Sequence, residues 1–249
     1  MNVPTDVLIV SPHLDDAVLS CFALLTGEAP ADVVSVFAGR PDPPRVAWSE
    51  RVMGFPDSDA TMAARHAEND RALAGLARAV EALDLLDEDY IDGPRPLASA
   101  APIEAYVRTW LAAHSGGSVA VPAGAGHVAG RVRARIERVI GPRGGVTPHP
   151  DHVFVRDAVL ALLAQGTLRE LTLYEELPYL WSGDTRQMVE GLAARAGLRA
   201  TVSEAPVDRH AKAQRIAVYA SQLEHLAIGG RRLEDASVLP PAERYFSLA

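Results

Sequence analysis

The run Asp6-Val-Leu-Ile-Val10, then Ser11-Pro-His13-Leu-Asp15-Asp16, then Ala17-Val-Leu-Ser-Cys-Phe-Ala-Leu-Leu25 decides the fold class. Its first part is apolar, rich in β-branched residues and without polar alternation, which predicts a strand buried on both faces. The two aspartates stand where a helix needs side-chain acceptors at its N-terminus, so residues 17–25 are expected as a helix stopped at Gly27. Asp32-Val-Val-Ser-Val-Phe37 has the same character as the first run and predicts a second buried strand. Strand, helix and strand within forty residues make a βαβ unit, hence a parallel sheet with a right-handed crossover.

Working outward, residues 39–60 hold four prolines and two glycines and are expected as a long loop over the sheet edge. Helices are expected over Met62–Leu83, 102–113 and Asp151–Leu163, with strands at Ser118–Pro122 and Leu171–Tyr174. Pro206–Leu226 is expected as a long C-terminal helix opened by proline. Arg131–Ile140 also has helical periodicity, with Val132, Ile136 and Val139 on one face. Arg131, Arg133, Arg135 and Arg138 form a basic face there, read as a solvated surface or a rim for an anionic group. No internal repeat or Ser/Gly linker interrupts the chain. The expectation is a single α/β domain over residues 1–249, a Rossmann-like, mostly parallel sheet with helices on both faces.

Composition narrows the function classes. At 249 residues and 48% hydrophobic, the chain can bury a sizeable core. A formal net charge of -8 leaves no basic surplus for a phosphate backbone, so nucleic acid is not an expected partner. The single cysteine, Cys21, rules out an intramolecular disulfide and any zinc site needing two thiolates. Inside an apolar helix it reads as a small core residue. The N-terminus lacks a signal peptide's basic and apolar regions, and no apolar run approaches the ~18 residues of a membrane span. A cytoplasmic protein without a membrane partner is expected, and a homo-oligomer is compatible with the sequence.

Two clusters carry chemistry. His13-x-Asp15-Asp16 follows the first strand, at the carboxyl end where open α/β sheets bind ligands. His149-Pro-Asp151-His152 opens another helix, and residues three apart there share a face. Together they offer two histidines and an aspartate, leaving a fourth position for water, the pattern of catalytic zinc. The competing reading, aspartates that only cap a helix and histidines that decorate loops, is weaker because two clusters coincide. Adjacent aspartates at that turn would repel an anion and suit a cation.

These residues resemble a known family. Ser-Pro-His13-Leu-Asp15-Asp16 and Pro-His149-Pro-Asp151-His152-Val are similar to the two signatures of the PIG-L/LmbE family of N-acetylglucosaminyl deacetylases. Val36-Phe-Ala-Gly-Arg-Pro41, Arg65-x-x-Glu68 and Tyr174-Glu-Glu-Leu-Pro-Tyr179 add to the likeness. The usual first motif is AHPDDE, and Leu14 and Ala17 replace its Pro and Glu. Residues 127–147 are inserted before the second motif.

The resemblance implies His13, Asp16 and His152 as ligands of one Zn2+, with Asp15 as general base. It implies His149 as the group that steadies the oxyanion or protonates the leaving amine. Asp151 is expected to keep that imidazole charged. Arg65, Glu175 and Tyr179 are substrate-binding candidates, while His66, His114, His127, His210 and His225 have no evident partner in the sequence. The implied activity is zinc-dependent amide hydrolysis, N-deacetylation of a small N-acetyl amino sugar or glycoconjugate. Three alternatives stand beside it: a thiol-conjugate amidase on the same centre, a dinucleotide-binding protein using Gly124-x-Gly126-x-x-Ala129, and a non-catalytic sugar-binding protein.

Overall fold

The computed structural model describes residues 5–125, 148–181, 184–227 and 230–249. Seven strands form one sheet in the order β3-β2-β1-β4-β5-β7-β6. They are β1 (Val7–Ser11), β2 (Ala31–Ser35), β3 (Ala79–Ala82), β4 (Ser118–Pro122), β5 (Leu171–Tyr174), β6 (Ala200–Pro206) and β7 (Ala242–Leu248). The first five run parallel, β7 pairs antiparallel with β5, and β6 pairs antiparallel with β7. This is the mostly parallel α/β architecture expected.

Strand alternation sorts the core into two layers. Leu8, Val10, Val34, Val119, Val121, Leu171 and Leu173 face one side. There they meet helices α5 (Ala100–Ala113), α6 (Pro150–Ala164) and α7 (Thr185–Ala196). Val7, Ile9, Val33 and Ala120 face the other side. Their neighbours are α1 (Asp16–Ser20), α2 (Phe22–Leu25), α4 (Ser58–Leu73) and α8 (Arg209–Ile216). Two shorter helices are α3 (Trp48–Met53) and α9 (Leu223–Leu226). No helix among the described residues is long and apolar enough to cross a membrane.

Several expected elements differ. The helix over 17–25 is broken at Cys21, whose carbon backbone leaves the helical region (φ -130°, ψ 27°). The break exposes the Phe22 and Ala23 amides to one carboxylate, Glu243, at 2.9 and 2.8 Å. Glu243 also holds Lys212, the chain's one lysine, at 2.6 Å and accepts from the Tyr245 hydroxyl at 2.6 Å. Helix α3 lies inside the expected 39–60 loop, fastened by Glu50, which accepts from the Ala47 amide (2.8 Å) and the Tyr90 hydroxyl (2.5 Å).

The helix expected over Met62–Leu83 starts earlier, at Asp57, whose side chain caps it, and ends at Leu73. Gly75, with φ +75°, turns the chain, and Ala79-Val-Glu-Ala82 becomes an edge strand against β2. Tertiary pairing overrides the helical preference of Ala and Glu there. The long helix expected over Pro206–Leu226 is replaced by the end of β6, a helix capped by Asp208, and the separate α9. The expected Arg131–Ile140 helix, its arginine face and the 127–147 insertion lie outside the described residues.

The Lys212–Glu243 pair yields a stability prediction. Lys212 is buried, so Glu243→Leu leaves its ammonium uncompensated and frees two helix amides, at a cost of about 3–5 kcal/mol. Urea unfolding of the variant measures this. A loss below about 1 kcal/mol would show that Glu243 does not hold β7 to α2 and α8.

Candidate metal centre and active site

The site sits where the sheet order reverses, between the carboxyl ends of β1 and β4. The first motif is a tight loop tied on several sides. The Ser11 hydroxyl donates to the His13 carbonyl (2.6 Å) and accepts from the Ala17 amide (3.1 Å), and Asp16 Oδ2 accepts from the His13 amide (2.8 Å). The Tyr174 hydroxyl holds the Val10 carbonyl at 3.1 Å, and the Tyr219 hydroxyl holds that of Leu14 at 3.3 Å. Leu14 packs with Ala38, Met62 and Tyr90, and Ala17 is fully buried, so both departures from AHPDDE serve core contacts. The second motif opens α6, with His149 as its N-cap and Pro150 at its first position.

His13, Asp16 and His152 converge in a buried group. His13 Nδ1 lies 3.3 Å from Asp16 Oδ2 and 3.3 Å from His152 Nε2, and His152 Nε2 lies 3.4 Å from Asp16 Oδ2. A tetrahedral ion with donors at ~2.0–2.1 Å spaces them about 3.3 Å apart. The three distances match that edge, so the triad fits a divalent cation.

Each imidazole is oriented by a carboxylate on its other nitrogen, the arrangement common behind metal-binding histidines. His152 Nδ1 meets Glu176 Oε1 at 3.1 Å, and Glu176 is itself fixed by the Gly124 amide at 2.8 Å. His13 Nε2 meets Asp151 Oδ2 at 3.3 Å and Asp87 Oδ2 at 3.5 Å. A second donor group, His13, His149 and Asp151, also exists on that side. Its carboxylate is already occupied: Oδ2 accepts from the Glu88 amide (3.0 Å), and Oδ1 takes Arg95 Nη2 (2.5 Å) and Nε (3.2 Å). Both Asp151 oxygens thus already have partners within the protein.

Electrostatics follow from this crowding. Burial opposes charge on Asp151, but His13 and Arg95 hold its carboxyl down to about 2. Asp16 is held lower still: burial opposes its charge, and His152 and His13 outweigh that. Burial and the neighbouring Asp16 push Asp15 up, against the Arg65 guanidinium 3.8 Å away. Burial disfavours the protonated forms of His13 and His152, yet the carboxylates around them raise both.

His149 behaves in the opposite way from the expectation. Burial, and then the charges of His152 and His13, lower it well below the usual range. Its Nδ1 accepts from the Asp151 amide at 3.3 Å, so the proton of the neutral ring is on Nε2, 3.5 Å from Glu88 Oε1. A cation at a helix N-terminus would also oppose the helix dipole. Asp151's carboxylate serves His13 instead.

The substrate-binding candidates divide. Arg65 lies in the site between Asp15 and Asp87, and its Nε is buried without a hydrogen-bond partner. The Tyr179 ring stands 5.4 Å from that of His152 and 6.1 Å from that of His149. Glu175 turns to β7, paired with Arg244 at 3.3 Å, and its neighbour Glu176 enters the site. His66 and His114, which seemed partnerless, reach the Ala38 carbonyl and the Arg78–Trp110 group. Asp87, Glu88, Arg95 and Glu176 join the site without belonging to either motif. The signals were present: a three-acid run at 87–89, an arginine between prolines 94 and 96, and a Glu-Glu pair past a strand end.

No protein-family model and no curated protein sequence matches the chain. Solved structures do. Teicoplanin deacetylase Orf2 in its zinc-inhibited form has a TM-score of 0.70 at 22% identity, and its triple mutant 0.70 at 25%, each covering 98% of both chains. The A40926 pseudoaglycone deacetylase Dbv21 has a TM-score of 0.70 at 24% identity, over 99% of this chain and 98% of its own. GalB, the 4-carboxy-2-hydroxymuconate hydratase of Pseudomonas putida KT2440, has 0.55 at 14%, over 98% and 95%. The fold is thus that of the deacetylases the motifs resemble, and it also carries a hydratase.

Metal binding should be proton-linked. Both imidazoles hold protons more tightly than usual without the ion, and must lose them to ligate. Zinc affinity should therefore strengthen from pH 6 to pH 8 with proton release, measurable by calorimetry in buffers of different ionisation heat. An affinity independent of pH would remove His13 and His152 from the ligand set.

Proposed function

We propose that this chain is a zinc-dependent amide hydrolase that removes the acetyl group from an N-acetyl amino sugar or a glycoconjugate bearing one. The single observation that carries the reading is the His13–Asp16–His152 triad with tetrahedral spacing, beside a raised carboxylate and a neutral histidine. Holding a metal requires neither Asp15 nor His149, whereas hydrolysis needs both a base and a donor. The neighbours named as deacetylases support the same reaction on the same fold. One domain spanning the chain remains part of this reading.

When bound, a divalent ion there supplies a Lewis acid and lowers the pKa of water towards ~7. The chain's own groups do the rest. Asp15 makes no cap bond to its helix, and its raised pKa makes it a better acceptor for the attacking water's proton. His149 presents Nε2–H to the acyl oxygen as negative charge develops there, donating as a neutral ring rather than as a cation. Asp15, protonated by the first step, returns the proton to the departing amine. Arg65, with Nη2 3.8 Å from Asp15 Oδ1, stands beside the proposed base and suits a sugar hydroxyl or the acyl oxygen. Tyr179 would form a wall of the pocket. Glu175, paired with Arg244, would act only on a distal part of the substrate.

The test is acetate release from N-acetyl amino sugars and their glycosides by metal-loaded protein. Asp15→Asn should keep the metal and lose ~10²–10⁴ in rate, since an amide cannot take the proton. Rate against pH should fall on the acid side as Asp15 is protonated, above the range of an ordinary aspartate. Burial and the neighbouring histidines lower His149, favouring its neutral form, so His149→Ala should lower kcat without moving the acid limb. A fall in rate at alkaline pH that disappears in His149→Ala would show that His149 acts as a cation instead.

A further inference from the structure

Arg95 lies far from both motifs in sequence, in Gly93-Pro94-Arg95-Pro96, and its side chain is almost fully buried. Its guanidinium carbon stands 3.9 Å from the centre of the Phe37 ring and 5.6 Å from that of Phe154. Phe37 follows β2 and Phe154 lies on α6, so the aromatic contacts bring the loop after β3 against both elements. The flanking prolines restrict the backbone that carries it. Cation–π contact and a planar fork of donors leave the guanidinium one productive orientation, with Nη2 and Nε both on Asp151 Oδ1.

Asp151 Oδ2 is thereby aimed at His13 Nε2. This contact, shorter than that of Asp87 Oδ2 to the same nitrogen (3.5 Å), favours the ring proton on Nε2. With a fixed acceptor at Nε2, the proton stays there, and the Nδ1 lone pair faces Asp16 and His152. If Asp151 were free to turn away, only the longer Asp87 contact would hold the proton at Nε2, and Asp16, 3.3 Å from Nδ1, would be the nearer acceptor. That tautomer blocks the metal position.

We infer that Arg95 is a positioning residue for the metal centre, acting through Asp151 to keep His13 in the metal-binding tautomer. The inference rests on the triad as a metal site, but not on the identity of the substrate. It also explains why the loop after β3 contributes a buried cation beside a proposed cation site. The guanidinium is turned to the outer oxygen of Asp151, where it neutralises the carboxylate without touching His13.

A double-mutant cycle on zinc affinity tests it, with a competing chelator and a readout independent of turnover. Arg95→Met and Asp151→Asn should each weaken zinc binding about 10–100-fold, as loss of an outer partner of a ligand does. The double variant should bind no more weakly than the weaker single one, because both changes break one chain of contacts. Arg95→Lys keeps the charge and the stem but not the fork, and should fall between wild type and Arg95→Met. If Arg95→Met is poorly folded, the Lys variant in the Asp151→Asn background carries the same cycle. A melting temperature lowered with zinc affinity unchanged would make Arg95 a packing residue only and overturn the inference. Losses that multiply in the double variant would overturn it too, since Arg95 would then act by another route. A wild type that binds no zinc would instead refute the metal triad, and with it the premise.

Discussion

His13 has two ring nitrogens and both face carboxylates, Asp16 on one side and Asp151 with Asp87 on the other. An imidazole in that position joins two groups that would otherwise repel each other. Asp16 with His152 makes one half of the site, and Asp151 with Arg95 makes the other. Several buried carboxylates so close together are tolerable only with compensating cations and hydrogen bonds. On the Asp151 side the compensation is present in the protein as Arg95 and the Glu88 amide. On the Asp16 side the two histidines, the His13 amide and the more distant Arg65 are present, and a divalent ion would complete the balance.

The sheet supplies the rigidity that this arrangement needs. β1 and β4 are central, and their carboxyl ends diverge at the switch in strand order, leaving a crevice into which both motif loops point. The first motif is held by tyrosines from β5 and from the segment after α8, the second by the start of α6. Glu176, one residue beyond Glu175, reaches His152 because the chain leaves β5 at that point. The site is thus assembled from β1, the loop after β3, α6 and the end of β5, each anchored separately to the core.

Much of this was legible in the sequence because periodicity and motif agree there. The buried strands β1, β2, β4 and β5 are continuous apolar runs, and His13, Asp16 and His152 stand at the turns that follow the sheet. Edge elements were harder. Ala79-Val-Glu-Ala82 has nothing in its composition that separates it from the helix before it, and only pairing with β2 makes it a strand. β6 and β7 exist because they pair with each other and with β5, contacts between residues 36 to 77 apart in the chain. Asp87, Glu88, Arg95 and Glu176 are hard to read from the sequence for a related reason. A residue that orients another has no spacing of its own, and its role depends on which atom of its partner it reaches. Asp151 shows this most clearly: adjacent to His152 and two residues from His149, it bonds instead to His13, far away in the chain.

The central claim is that one ion lies on the Nδ1 side of His13. A crystal structure of the zinc-loaded protein, with anomalous data collected at the zinc edge, tests it most directly. One strong peak is expected, with His13 Nδ1, Asp16 and His152 Nε2 each at ~2.0–2.2 Å and Asp151 still on Arg95. A peak on the Nε2 side of His13, ligated by His149 and Asp151 with Arg95 displaced, would contradict it.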